Sequence, residues 1–349
     1  MAVSYQINIV DPSHSHLSPN LLSNLSVEEI PIPSPGPTSV VVRIRAVALN
    51  FRDLLCLADS PLYPVRTSPG LIPCNDGAGE IVSAGLESTW KDSIGDAVIL
   101  LPSRDWINGD VDVVNMHNIL GSGVVNGTLS QYVMVEDPWL IRAPKNLSFE
   151  EAAALPGAAG TAMNVLESIS VGKDTTVVTQ GTGGVSCAVI QYAAALGAKV
   201  IATSSTDEKL QIASKLGAAE LINYKMTPDW ADKVLRITGG KGADLVCDVG
   251  GSGTLEQSIK ALRQGGTACL VGFLTQPKPI DILMEIIAQA KILKGIAVFS
   301  RTMLSRVVEL TEEHDLHPCL GKVFEWDEAP EAFELMRKQN TVGKIVIKV

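Results

Sequence analysis

The stretch Thr175–Ser186, TTVVTQGTGGVS, decides how this 349-residue chain folds. Its β-branched run, Thr175, Thr176, Val177, Val178 and Thr179, reads as a strand that ends in a turn at Gly181, Gly183 and Gly184. A helical stretch, VSCAVIQYAAALGA, begins at Val185, with Ala and Leu setting its period and Gly197 as its C-cap. A pyrophosphate needs bare backbone amides and a helix N-terminus aimed at it, because glycines allow close approach and the helix dipole favours negative charge. Ser186 takes the third glycine slot of G-x-G-x-x-G, where a small residue still lets helix and strand pack closely. Gly181, Thr182, Gly183, Gly184 and Val185 are therefore the candidate dinucleotide-phosphate site. A glycine turn alone also serves as a plain βα loop; the strand before it and the helix and strand after it select the dinucleotide reading.

The next strand, Lys199–Thr203, ends where NAD-binding folds place an Asp or Glu on the ribose 2′-hydroxyl. Here Ser204, Ser205 and Thr206 follow instead, with Lys209 a little further on. No carboxylate stands at the strand tip to repel a 2′-phosphate, and Ser204, Ser205 and Lys209 supply two hydroxyls and an ammonium to bind one. NADPH is expected over NADH. The same serines also suit capping of the helix that starts near Asp207, and the two roles are compatible.

Composition bounds the class. With 46% hydrophobic residues the chain can bury two sizeable cores. A net charge of −10 argues against nucleic-acid or anionic-membrane partners, which need basic clusters. MAVSYQINIV reads as a first strand rather than a secretory leader, and the most apolar stretch, Ala152–Leu166, is interrupted by Pro156, Gly157 and Gly160. Six scattered cysteines without a C-x-x-C suit reduced thiols in the cytosol. His14 and His16 lie in a Pro/Ser-rich loop, Asp11–Asn20, read as solvated rather than metal-binding.

The first 150 residues have all-β character: strands are expected at Thr38–Leu49, Gly79–Ala84, Asp96–Leu101 and Leu129–Val135, punctuated by Pro and Gly as in a barrel-like fold. From Glu150 helices alternate with apolar strands at Glu220–Asn223, Asp244–Asp248, Thr267–Val271 and Ile292–Val298, the pattern of a doubly wound parallel sheet. A helix at Asp327–Arg337 and a strand at Lys344–Val349 close the chain and can complete the first domain. Residues 1–150 with 301–349 are expected to form one domain and 151–300 the other. The apolar edge Ile292–Val298, with Lys294 its one charge, is open to pairing with a second copy.

VALNFRD (Val47–Asp53), IPCNDGAGEIVSAG (Ile72–Gly85), GDAV (Gly95–Val98), GTLSQYV (Gly127–Val133), LSFEEAAALPGAAGTA (Leu147–Ala162), the GTGGVS loop, TSSTDEKL and the terminal GKIVIKV together resemble the medium-chain dehydrogenase/reductase superfamily. The branch they are similar to is the zinc-independent one of quinone oxidoreductases and enoyl reductases. The resemblance covers nearly the whole chain. It implies a β-rich, GroES-like catalytic domain beside a Rossmann domain, and a homodimer formed through the edge strand. Zinc enzymes of the superfamily carry a Cys where Asn50 stands, a His where Asn75 stands and a second Cys near Gly157; a four-cysteine structural lobe has no counterpart either. No metal is expected, and Asp76 keeps an acidic residue that the family has.

Chemistry without a metal then favours an activated C=C bond: hydride adds to the β-carbon of an unsaturated carbonyl or a quinone, and hydrogen bonds stabilise the enolate until a proton quenches it. By resemblance, Asn50 faces the nicotinamide pocket, and Tyr63 matches a proton-donating tyrosine or is an ordinary loop aromatic. Trp106 is either a rim aromatic or a substrate platform. Thr161, Val249, Gly250, Gly272, Phe273, Leu274, Tyr224 and Lys344 are carried over as cofactor contacts. A zinc-independent carbonyl or alcohol oxidoreductase and a non-catalytic NADPH-binding protein are the alternatives.

Overall fold

The structure is a computed structural model that describes residues 1–9, 15–111 and 115–349. Its contacts divide the chain into two units, Met1–Gly157 with Ser300–Val349, and Ala158–Phe299.

In the first unit β1 (Ala2–Ile7) pairs antiparallel with β2 (Leu25–Ile30). The long strand β3 (Ser39–Ala48) runs into helix α1 (Phe51–Leu57), and β4 (Asp76–Ala84), β5 (Ala97–Leu100), β6 (Tyr132–Glu136), β7 (Leu140–Arg142) and helix α2 (Phe149–Ala153) follow. Ser148 caps α2 by accepting from the Glu151 N–H while the Glu151 side chain accepts from the Ser148 N–H, so a capping box starts the helix. The α2 helix packs on β3 and β4, which is why the first unit extends past the expected boundary at residue 150.

The second unit opens with α3 (Thr161–Leu166), joined to α2 through a wide turn over Pro156–Gly160 that breaks the apolar run. Strands and helices then alternate: β8 (Thr176–Gln180), α4 (Gly184–Ala195), β9 (Lys199–Ser204), α5 (Asp207–Lys215), β10 (Glu220–Asn223), α6 (Trp230–Ile237), β11 (Ala243–Asp248), α7 (Leu255–Ala261), β12 (Leu262–Leu270), α8 (Leu283–Gln289) and β13 (Ile292–Gly295). The six strands are all parallel in the order β10-β9-β8-β11-β12-β13, which is the doubly wound Rossmann order. The order reverses between β8 and β11, and their carboxyl ends mark the crevice where such sheets take ligands. Val178, Ile201, Ile222 and Val246 form a core with Trp230, Leu255 and Ile259 from the covering helices. Among the described residues β13 pairs with β12 alone, and Ile292 on it is exposed.

The chain returns to the first unit with α9 (Arg301–Glu313), β14 (Leu320–Phe324), α10 (Ala329–Arg337) and β15 (Lys344–Lys348). β15 pairs antiparallel with β3 and parallel with β14, completing a seven-stranded sheet ordered β14-β15-β3-β4-β5-β7 with β6 also on β3. Ile44, Leu54, Ile81, Leu100, Phe333 and Ile345 are among the residues of its core. This return brings Lys344 beside the β3–α1 junction.

Candidate functional site

In the second unit, the turn after β8 is held by backbone and hydroxyl hydrogen bonds and leaves open space at its glycines. Gly181 has φ of 71°, a conformation that favours glycine, and its N–H donates to Thr203 O at 2.7 Å, tying the turn to β9. A Cβ at Gly181 or Gly183 would meet nothing within 4 Å, so the space above the turn is open. Ser186 Oγ donates to Gln180 O at 2.7 Å and closes the turn from below. Gly184 and Val185 form the first turn of α4, whose N-terminal amides can accept a pyrophosphate.

Ser204 is buried at the end of β9, and its Oγ lies 3.4 Å from Thr182 Oγ1, one of the two donating. The Tyr224 N–H donates to Ser204 O, which places Tyr224 at the same strand tip. Thr206, not Ser204 or Ser205, caps α5, accepting from the Lys209 N–H. Capping therefore does not occupy the two serines.

Val249 and Gly250 meet Gly272, Phe273 and Leu274 across the carboxyl ends of β11 and β12. Leu274 N–H donates to Val249 O and Thr275 N–H to Gly250 O. Phe273 and Leu274 are about half exposed there. Sequence reading missed what anchors this loop. Asp248 is fully buried and accepts from the Gly250 and Gly251 N–H groups, Thr254 Oγ1, Ser258 Oγ and Gln180 Nε2, at 2.5–3.1 Å. An acid closing a strand just before a glycine pair was the available signal. Thr161 opens α3, which packs on α4.

In the first unit, Asn50 stands at the N-cap of α1. Its N–H donates to Asp53 Oδ2 at 2.8 Å and its Nδ2 donates to Asn75 Oδ1 at 3.0 Å. Lys344 Nζ donates to Leu49 O at 2.8 Å, Asn50 Oδ1 at 2.7 Å and Asp76 Oδ2 at 3.0 Å. An ammonium has three hydrogens, and all three are taken within this unit. Lys344, expected as a cofactor contact, gives its three hydrogen bonds to these partners. Asp76 is fixed in turn by the Gly157 N–H, 3.0 Å from both carboxylate oxygens.

Arg52, unnoticed in the sequence, closes the other side. Its guanidinium donates to Asp53, Leu120 O and Gly121 O and lies 5.2 Å from the centre of the Tyr63 ring, a cation–π distance. Burial works against its charge, but neighbouring Cys56, Tyr63 and Asp53 outweigh that and raise its pKa. Burial lifts the Asp53 carboxyl to about 6, with Arg52 and the Asn50 N–H pulling it back and Asp76 pushing it up. Tyr63 thus joins the Asn50 cluster through Arg52. Trp106 is a correction: it is 3% exposed, donating from Nε1 to Gly109 O, so it is neither rim nor platform. Of the loop Ser103–Gly127, residues 112–114 are outside the described residues, and so is His14. His16 packs edge-on against Phe51.

Comparison with known proteins places the chain. Residues 36–145 match the alcohol dehydrogenase GroES-like domain and residues 184–313 the zinc-binding dehydrogenase domain. A zinc-type alcohol dehydrogenase-like protein of Schizosaccharomyces pombe is 39% identical over 333 residues, 93% of this chain and 95% of that one. A solved NAD-dependent alcohol dehydrogenase superposes with a TM-score of 0.86 at 31% identity, covering all of both chains. An acryloyl-coenzyme A reductase of Sulfurisphaera tokodaii is 26% identical over 92% of this chain and 96% of its own length.

These matches correct the expected place in the zinc-independent quinone-oxidoreductase and enoyl-reductase-like branch. The quoted motifs lie on both units, from β3 and α1 through the β8–α4 turn to β15, and the branch was inferred from the substitutions at positions 50, 75 and 157. The family description implies zinc. Positions 50, 75 and 157 do converge here, but they supply two carboxamides and no side chain, and a Cβ at Gly157 would lie 2.6–2.8 Å from Asp76 and Asn50. Among the described residues no three His, Cys, Asp or Glu are grouped to hold a metal ion, so the donors present do not fit zinc. By sequence and fold, the chain belongs to the zinc-type alcohol dehydrogenase family of medium-chain dehydrogenase/reductase oxidoreductases.

Proposed function

We propose that this oxidoreductase uses NADPH to reduce the activated C=C bond of an enone, enoyl thioester or quinone. The observation behind a carbonyl-containing substrate is the Asn50 carboxamide, and the acryloyl-coenzyme A reductase relative supports C=C over C=O within that class. Asn50 Oδ1 faces the Lys344 ammonium, and Nδ2 keeps a second hydrogen beyond the one given to Asn75. That N–H suits a carbonyl oxygen on which enolate charge develops, and a preorganised donor of this kind contributes about 3–4 kcal/mol to a transition state.

Gly181–Val185 at the start of α4 would hold the pyrophosphate. Ser204, Ser205 and Lys209 would hold the 2′-phosphate, with Tyr224 beside them. Val249, Gly250 and Gly272–Leu274 would line the nicotinamide, with Thr161 as a further contact. Bound NADPH would supply a hydride to the substrate. Asn50 would hold the oxygen on which charge develops, and Tyr63 would donate the proton, to the α-carbon of an enone or enoyl thioester or to oxygen where a quinone becomes a hydroquinone.

The alcohol dehydrogenase names of other relatives support a second reading, carbonyl reduction or alcohol oxidation. We also infer a homodimer paired through β13, which has one neighbour and carries exposed Ile292, and a cytosolic location that suits six free thiols. No helix among the described residues is long and apolar enough to cross a membrane.

Stopped-flow oxidation of NADPH with enones, quinones, enoyl thioesters and aldehydes tests the function. Turnover of the C=C compounds is expected, with Tyr63→Phe slowing it by about 10²–10⁴-fold at unchanged NADPH affinity. Turnover of aldehydes alone selects the second reading, and no turnover of any class leaves a binding protein. Wild-type rates in Tyr63→Phe reduce the tyrosine to a packing role.

A further inference from the structure

Lys344 and Asn50 are 294 residues apart in sequence, and their contact settles which way the carboxamide faces. An ammonium can only donate. At 2.7 Å from Lys344 Nζ the carboxamide must therefore present its oxygen, since the amide nitrogen would set donor against donor. The second contact agrees with that orientation, with Asn50 Nδ2 donating to Asn75 Oδ1 at 3.0 Å.

The ammonium itself has little freedom. Leu49 O and Asp76 Oδ2 hold it, Asp76 is pinned by the Gly157 N–H, and the Lys344 side chain is 6% exposed. A charge-assisted bond to Oδ1 also draws electron density from the amide, which strengthens the remaining Nδ2–H as a donor.

We propose that Lys344 is a positioning residue: its buried ammonium, clamped by Asp76 and Leu49 O, locks and polarises the Asn50 carboxamide so that Nδ2–H is the group offered to the substrate oxygen. Lys344 does not touch the substrate or the cofactor; it acts through Asn50. The inference rests on the carbonyl-binding role proposed for Asn50, and it holds for C=C and C=O substrates alike, because both present a carbonyl oxygen.

The test is a double-mutant cycle of Lys344→Met and Asn50→Ala, with kcat and KM measured on whichever carbonyl substrate the unmodified enzyme turns over. NADPH affinity is measured separately by fluorescence titration. Lys344→Met is expected to lower kcat by about 10–100-fold, the usual cost of a displaced catalytic group. It should leave cofactor affinity within about twofold and add nothing further in the Asn50→Ala background. If Lys344→Met does not fold, the cycle is run in Asp76→Asn, where no buried carboxylate is left unpaired.

A readout independent of turnover is the side-chain ¹⁵N amide pair of Asn50, identified by its loss in Asn50→Ala. Its two hydrogens should be distinct and exchange slowly in the unmodified protein, and should shift and exchange faster in Lys344→Met. An equal loss of kcat in both backgrounds, a tenfold weaker cofactor at unchanged kcat, or an unaltered Asn50 amide pair each overturns the proposal. Failure of C=C reduction alone sinks the proposed substrate class, while the amide signals still decide on Lys344.

Discussion

Gly157→Ala perturbs the Asn50 cluster by one carbon atom. The added Cβ would lie 2.6 Å from Asp76 Oδ2, 2.7 Å from Asn50 Nδ2 and 2.8 Å from Asn50 Oδ1. Ordinary contact starts near 3.4 Å, so these atoms must give way by roughly 0.6–0.8 Å. None is the loose end of a long side chain: Lys344 and the Gly157 N–H hold Asp76, and Lys344 and Asn75 hold Asn50. Overpacking of this kind costs about 1–3 kcal/mol of stability. A shift approaching 1 Å at a group that touches substrate costs on the order of 10²-fold in rate. The denaturant midpoint should fall modestly and kcat by about 10–100-fold, with NADPH affinity unchanged because the perturbation lies outside the glycine turn. In an Asn50→Ala background two of the three clashes are gone, and Gly157→Ala should lower kcat little further. A Gly157→Ala enzyme with unmodified kcat and midpoint would refute close packing as what holds Asn50 in place.

Three further outcomes are expected. Ser204→Asp should turn the preference from NADPH toward NADH by about tenfold or more, since a charge-assisted contact is worth about 1.5–3 kcal/mol; equal dissociation constants for both cofactors in the unmodified enzyme would remove the basis for it. Asp53 has a folded pKa of about 6, above the ordinary carboxylate value of 3.8, so its stabilising contribution is complete below pH 3.8 and is lost as pH rises through about 6. Urea titrations should show the unmodified protein losing on the order of 3 kcal/mol relative to Asp53→Asn between pH 4 and 7, and a pH-independent difference would contradict this. Replacing the Lys344–Asp76 pair together, as Lys344→Met with Asp76→Leu, should leave the thermal midpoint nearly unchanged while kcat falls; a cooperative loss of both would make the pair a stabilising element instead.

The parallel sheet was legible because its signals are local. β-branched runs, glycines at fixed offsets and a capped helix sit side by side in Thr175–Gly197, and Glu220–Asn223 carries its strand end to end. The turns at Val249–Gly250 and Gly272–Leu274 were legible as turns for the same reason, since they lie at the ends of apolar strands. What the sequence concealed depends on contacts between distant segments. Lys344 reads as a charge at the start of a closing strand, and nothing near it shows that Asp76, 268 residues earlier, is its partner. Arg52 drew no notice in the sequence, yet it donates to two carbonyls of the loop at Leu120 and Gly121. Trp106 sits among Gly and Asp residues that suggest exposure, but its indole is buried, and its carbonyl accepts from the Arg301 N–H at the start of α9. The branch was misjudged because three substituted positions were weighed above the rest of the chain.

The first unit encloses two cations and two carboxylates around one neutral amide. Arg52 pairs with Asp53, and Lys344 with Asp76, at 3.2 and 3.0 Å. Buried ion pairs seldom add net stability, since the desolvation they require offsets most of their attraction, so their value has to lie in placement. Each pair fixes a different part of Asn50: Asp53 takes its backbone N–H, and Lys344 takes its side-chain oxygen. Asp53 restrains the backbone at the cap, and Lys344 restrains the side chain. Together with Asn75 they leave the residue one orientation and one uncommitted N–H. Removing a single charge strands its partner in the interior and costs about 3–5 kcal/mol, so the two pairs tolerate joint replacement far better than single changes. A single change at any of the four positions therefore carries a folding penalty separate from its effect on the chemistry at Asn50.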